Sequence, residues 1–226
     1  LQANAKTRKE ETMKIGVFGS GIVGQTIGSK VAELGHEVLI GTRNPAKLQE
    51  WLTKAGGNAQ VGTLAETAAH GEILFNATNG SGSLEALALA GEANLDGKIL
   101  IDISNPLDFS HGMPPTLFVS NVDSLGEQIQ RAFPQVKVVK TLNTVTASLM
   151  VNPCQLVDGE HDLFISGNDA EAKSRVVNLL TAWFGWKHII DLGDITTARG
   201  TEMYLPIWLR LWGALGTGLF NVKVVR

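Results

Sequence analysis

Along the chain, short apolar runs alternate with segments whose apolar residues recur at helical spacing. Ile15 to Phe18, Glu37 to Ile40, Ala59 to Val61, Ile73 to Asn76, Lys98 to Ile103 and Val136 to Thr141 have the length and composition of buried strands. Between the first two, Val23, Ile27, Val31 and Leu34 fall on one face of a helix. Leu48, Trp51, Leu52 and Ala55 repeat that pattern behind Asn44-Pro45, which predicts Asn44 as cap and Pro45 at the first helical position. Shorter helices are predicted over Thr63 to Ala69, Leu84 to Ala90 and Ser124 to Phe133. Strands that alternate with helices in this way predict an α/β fold built on a doubly wound, mainly parallel sheet.

Beyond Pro153 the pattern changes. Leu163 to Ser166 and Ile189-Ile190 predict two more short strands, separated by a helix that Asn168-Asp169-Ala170-Glu171 opens and that runs through Val176, Val177, Leu180 and Trp183. The stretch from Met203 to Val222 is mostly apolar and about long enough to span a bilayer. Pro206, Arg210 and three glycines interrupt it, and a central arginine costs about 2.5 kcal/mol or more in lipid. It therefore predicts a buried or subunit-pairing helix and no membrane contact. The expected organisation is a polar tail or expression remnant over 1–12, a nucleotide-binding domain over 13–152, and a small, mostly helical acceptor and dimerisation part over 153–226.

The bulk figures narrow the functional classes. A chain of 226 residues suffices for one α/β domain with an appendage but not for two full domains. A net charge of −3 provides no electrostatic footprint for nucleic acid or an anionic membrane. The single cysteine, Cys154, excludes an internal disulfide, which suits a reducing cytoplasm.

The first predicted strand runs straight into Gly19-Ser20-Gly21-Ile22-Val23-Gly24 and then a helix, the context in which a G-x-G-x-x-G motif binds a dinucleotide. Gly19 would make the tight turn, Gly21 would let backbone amides approach the pyrophosphate, and Gly24 would let helix and strand pack closely. The helix N-terminus then faces the anion. At the end of the second strand an NAD site places an acid for the ribose hydroxyls, whereas this chain reads Gly41-Thr42-Arg43-Asn44. A carboxylate about 4 Å from a 2′-phosphate would repel it by roughly 1 to 4 kcal/mol. Arg43 reverses that sign, Thr42 adds a hydroxyl, and Lys47 follows about one helical turn later, so NADP(H) is the expected cofactor.

Loops after the other strands should converge on the same ligand. Ala77 and Thr78 are placed beside the adenosine ribose and pyrophosphate, with Asn79 in the same loop; the other reading is a Gly/Ser loop that merely precedes a helix. Asn105 opens a long connection over 105–121 with three prolines, a length that in a compact domain is usually functional. Asn143, at the end of the sixth strand, either bonds the nicotinamide carboxamide or ties down its own turn.

Several chemistries fail on residues. There is no GxSxG elbow, no GxxxxGK[ST] loop and no HExxH helix. The five histidines lack ligand spacing, so no metal site is expected, and Tyr204 is followed four residues later by Trp208 rather than lysine. No catalytic acid or base stands out. Hydride exchange between a nicotinamide and a flavin-like ring needs the rings held at about 3 to 3.5 Å more than it needs a proton donor. Met203, Tyr204, Trp208 and Trp212 either wall such a ring or belong to the core.

From Met13 onward the sequence resembles the coenzyme F-420-dependent NADP reductases. The resemblance rests on GVFGSGIVGQTIG, GTRNP, ISNPL, VVKTLNT and FISGNDAEAK leading to DLGDITTARGTEM. The first two motifs also resemble the cytosolic domain of ferric reductases that use NADPH and a flavin. The resemblance implies a Rossmann domain, NADP binding through Ser20, Ile22, Thr42, Arg43 and Lys47, an electron acceptor toward the C-terminal segment, and a homodimer that exchanges C-terminal helices. In place of a proline-containing apolar loop after the fourth strand, this chain carries Asn79-Gly80-Ser81-Gly82. The expected activity is hydride transfer between NADP(H) and a small-molecule acceptor, coenzyme F-420, FMN or FAD. The alternatives are reduction of a small imine or carbonyl compound, or a non-catalytic NADPH-binding sensor.

Overall fold

Strand β1, Lys14–Phe18, is buried at every position except its first, because it lies in the middle of a sheet covered on both faces. This computed structural model describes residues 12–226; the tail expectation for 1–12 falls, apart from Thr12, outside them. The remaining strands are β2 (Glu37–Gly41), β3 (Ala59–Gly62), β4 (Ile73–Asn76), β5 (Ile99–Asp102), β6 (Leu107–Asp108), β7 (Thr116–Leu117), β8 (Lys137–Thr141), β9 (Asp162–Gly167) and β10 (His188–Gly193). The helices are α1 (Ile22–Glu33), α2 (Gln49–Ala55), α3 (Leu64–His70), α4 (Ser83–Ala90), α5 (Glu92–Leu95), α6 (Leu125–Ala132), α7 (Ala147–Val151), α8 (Ala170–Leu179), α9 (Ala198–Met203) and α10 (Leu205–Leu215).

Eight strands form one sheet in the order β10-β9-β8-β5-β4-β1-β2-β3. The pairings from β3 across to β8 are parallel, and β9 then runs antiparallel to β8, with Val139 opposite Gly167 and Thr141 opposite Ile165. The doubly wound α/β fold predicted from the alternating pattern is therefore present. Strand order reverses between β1 and β4, and in such sheets ligands bind beyond the carboxyl ends of the strands at that point. One apolar cluster, with Ile15, Val17, Ile27, Val31 and Ile40, packs α1 against the sheet; a second, with Phe18, Leu74, Leu100 and Ile129, fills the opposite face.

Four expectations change in the tertiary structure. The sheet runs across residue 152: β9 and β10 extend it, because their buried apolar positions find a partner in β8 rather than a core of their own. Asn44 does not cap with its side chain; Pro45–Leu48 is a 3-10 turn, and the Asn44 N–H donates to Thr42 Oγ1 at 3.1 Å instead. The long 105–121 connection holds the hairpin β6–β7, pairing Leu107 with Leu117, and Phe118 N–H donates to the Pro106 carbonyl at 3.0 Å. The apolar tail is not one buried helix. Pro206 sits in the first turn of α10, Gly216 ends it in a left-handed conformation, and within α10 only Leu205 is buried. No helix among the described residues is long and apolar enough to cross a membrane.

Candidate functional site

The turn from β1 into α1 is shaped by its glycines. Gly19 has φ +117°, and a Cβ there would run into the Ala77 carbonyl; a Cβ on Gly24 would run into the Gly19 carbonyl oxygen. A Cβ on Gly21 would meet nothing within 4 Å, so the face of the turn above it is open. Gly21 opens α1 with no side-chain cap and no acid in the first turn. The first amides of α1 are thus offered to a ligand rather than to the protein, the arrangement that suits a pyrophosphate.

Two cavities flank this turn. The smaller, about 290 Å³, is lined by Gly19, Ser20 and Gly21 from the turn, Thr42 and Arg43 after β2, and Ala77 to Asn79 after β4; Glu85 of α4 closes its far side. Thr42 Oγ1 donates to Ser20 Oγ at 3.2 Å, which holds the two loops together. The Arg43 guanidinium lies 3.6 Å from the Glu85 carboxylate, with both side chains largely exposed. Asn44 and Lys47 are exposed outside the walls of this cavity, and Gly24 lies behind the turn.

The larger cavity, about 590 Å³, lies on the other side of Gly21. Ile22, Val23, Ala77, Thr78 and Asn79 form one wall, and Asn105 and Asn143 lie at its floor. Those two asparagines are bonded across their loops: Asn143 Nδ2 donates to Asn105 Oδ1 at 3.0 Å, and Asn105 Nδ2 donates to the Asn143 carbonyl at 2.9 Å. Asn143 is thus engaged by a neighbouring loop rather than by its own turn. Phe109 of the hairpin, Met150 of α7 and Leu205, Trp208 and Leu209 of α10 complete the wall. Of the four tail residues singled out in the sequence, only Trp208 reaches the cavity; Met203 instead accepts the Asn121 N–H at 3.3 Å, and Trp212 lies beyond Trp208 at 6.1 Å between ring centroids. No ionisable side chain lines the larger cavity among the described residues, and no cluster of potential metal ligands occurs among them.

Sequence reasoning missed a polar network beneath this floor. Thr78 Oγ1 donates to Asn76 Oδ1 at 2.7 Å, and Asn76 Nδ2 donates to Asp102 Oδ1 at 2.9 Å. Lys140 Nζ donates to Asp102 Oδ2 at 2.8 Å and lies 2.7 Å from Glu202 Oε1. Glu202 in turn accepts the first amides of α6, Leu125 N–H at 2.8 Å and Gly126 N–H at 3.0 Å. Burial alone would push the Lys140 ammonium down, but Asp102 and Glu202 together hold it above its ordinary value. Glu127, in the first turn of α6, is held low, chiefly by the Arg199 guanidinium and also by Ser124. The available signal was a charge inside an otherwise apolar strand, Asp102 in Ile-Leu-Ile-Asp and Lys140 in Val-Val-Lys.

Comparison with known proteins decides the family. A crystal structure from Arthrobacter sp. FB24, described as a candidate F420-dependent NADP reductase, is 56% identical, covers 95% of this chain and 100% of its own, and superposes with a TM-score of 0.91. The chain belongs to the coenzyme F420-dependent NADP oxidoreductase family. The family's own profile, NADP oxidoreductase coenzyme F420-dependent, matches residues 14–106, which hold β1 through β5, the whole lining of the smaller cavity and the glycine-turn side of the larger one. The family resemblance read from the motifs is therefore correct, and the reaction class is NADP-dependent oxidation and reduction. The rat metalloreductase STEAP3 is 29% identical over 93% of this chain but only 41% of its own length, so this chain spans about two fifths of that curated relative. A reductive aminase from Aspergillus terreus, in complex with NADPH and ethyl-5-oxohexanoate, shares the fold at 16% identity, with a TM-score of 0.65 over 91% of this chain and 63% of its own.

Proposed function

We propose that this protein transfers hydride between NADP(H) and a flavin-like or deazaflavin ring, coenzyme F-420 first among them. The observation that carries the reading is the larger cavity: it shares Gly21, Ala77, Thr78 and Asn79 with the smaller one and has no ionisable side chain in its wall. A site built for proton transfer to a carbonyl places a titratable group within reach of the reacting atom. A site that only aligns two rings needs shape and dryness, and apolar Val145, Met150, Leu205, Trp208 and Leu209 supply both.

In this reading the α1 amides and Gly21 hold the pyrophosphate, Ser20, Thr42 and Arg43 hold the 2′-phosphate, and Thr78, Asn105 and Asn143 border the nicotinamide. NADPH supplies the hydride; the chain sets distance and angle. Mixing the protein with NADPH and each of F-420, FMN and FAD in a stopped-flow spectrometer tests it, through loss of absorbance at the nicotinamide band. Oxidation by one of these rings is expected. Tight NADPH binding without oxidation by any acceptor would turn the reading toward a sensor.

One observation favours a second reading, reduction of a small imine or carbonyl compound: Thr146, a hydroxyl-bearing residue, lies in the same wall and could pass a proton from water. Turnover with such compounds and none with the rings would select it. We infer also that two copies pair through α10, whose Ile207, Trp212 and Leu215 are 55%, 43% and 57% exposed.

A further inference from the structure

The smaller cavity contains a contradiction. Its walls present Thr42 and Arg43, the groups that favour a 2′-phosphate, yet directly across from them stands Glu85, the one carboxylate in its lining among the described residues. The Arg43 guanidinium and the Glu85 carboxylate approach to 3.6 Å, with side chains 74% and 65% exposed. A pair so open to water is held weakly, and a dianionic phosphate can displace it. Glu85 is also placed where it loses little by releasing Arg43: it lies in the first turn of α4, where the helix dipole favours a negative charge.

We propose that Glu85 is a specificity-determining residue of the cofactor site. Its carboxylate holds Arg43 across the cavity and opposes a 2′-phosphate when one enters, so it weakens NADP(H) selectively and narrows the preference over NAD(H). The ribose hydroxyls of NAD(H) carry no charge, and Glu85 does not oppose them. The protein thereby holds the phosphorylated nucleotide less tightly than Thr42 and Arg43 alone would, which favours release of spent cofactor. This rests on the placement of the 2′-phosphate at Arg43 in the proposed function.

A charge series at one exposed position tests it. Calorimetric titration of the wild-type protein, Glu85→Gln and Glu85→Lys with NADPH and with NADH, in low and in high salt, separates the possibilities. Affinity for NADPH is expected to rise by about three- to tenfold in Glu85→Gln at low salt and further in Glu85→Lys. The gain should shrink in high salt because it is electrostatic, and NADH affinity should move by less than about twofold. If both nucleotides respond alike, or NADPH weakens, Glu85 has no selective role. If neither the wild-type protein nor Glu85→Gln prefers NADPH over NADH, the 2′-phosphate placement itself fails and the proposal falls with it. A preference for NADPH that no Glu85 variant alters would overturn the proposal alone. Thermal melts of the variants, expected to match wild type, keep these outcomes separate from misfolding.

Discussion

In the proposed function, Arg43 is the residue on which cofactor choice turns. Its side chain is exposed and its neighbours make no other claim on it beyond Glu85, so removing it leaves the fold intact. Arg43→Ala is expected to raise the KM for NADPH by about tenfold or more, the equivalent of about 1.4 kcal/mol, while NADH kinetics hardly change. Steady-state rates with the two nucleotides check this, and equal losses for both would remove Arg43 from the 2′-phosphate site. Arg43 could be picked out from the chain because it is local: it follows directly on a recognisable strand that lacks a terminal acid. Glu85 could not, since α4 brings it to Arg43 only once β1, β2 and β4 lie side by side. Lys47 and Asn44, read from the same local pattern, are exposed and lie outside the lining of the cavity.

The β1–α1 turn separates what glycine does for folding from what it does for binding. A side chain on Gly24 collides with backbone that cannot retreat, whereas one on Gly21 projects into open space. Gly24→Ala is therefore expected to cost about 1 to 3 kcal/mol in urea unfolding. Gly21→Ala should leave stability within about 0.5 kcal/mol of wild type yet weaken NADPH by about tenfold or more, as its methyl group occupies the approach to the α1 amides. Unchanged affinity in Gly21→Ala would place the pyrophosphate elsewhere. Strands and capped helices of this kind were legible from periodicity: Thr63 accepts the Glu66 N–H, and Asp169 accepts the Ala172 N–H, as their sequence contexts lead one to expect. The hairpin β6–β7 was not, because strands of two residues show no alternation to read.

Across the whole molecule, Asp102, Lys140 and Glu202 tie the end of β5, the end of β8 and α9 into one buried cluster, with the start of α6 bonded to its rim. Removing the cation strands two carboxylates away from water. Lys140→Met is expected to destabilise the protein by about 3 to 5 kcal/mol, measured by urea unfolding at neutral pH. The sign of the pH effect follows from the raised ammonium value. Its contribution is whole below its ordinary value of 10.5 and is lost only as pH rises through the higher folded value, so the difference between wild type and Lys140→Met should persist across the neutral range. For the proposed pairing through α10, light scattering should report the mass of two chains, and Ile207→Glu, an exposed substitution, should shift it to one. A wild-type mass of one chain would rule the pairing out.

Local pattern in the chain was enough to establish the doubly wound sheet, the glycine turn from β1 into α1 and an arginine beside that turn, because each depends on residues adjacent in sequence and on backbone geometry that glycine and apolar runs impose. Tertiary structure alone decided the rest. The antiparallel addition of β9 and β10, the neutral cavity under α10, the Arg43–Glu85 opposition and the buried lysine with its two carboxylates all arise from residues distant in the chain. Their chemistry exists only after burial and pairing have set how much each charge is desolvated and which partner it meets.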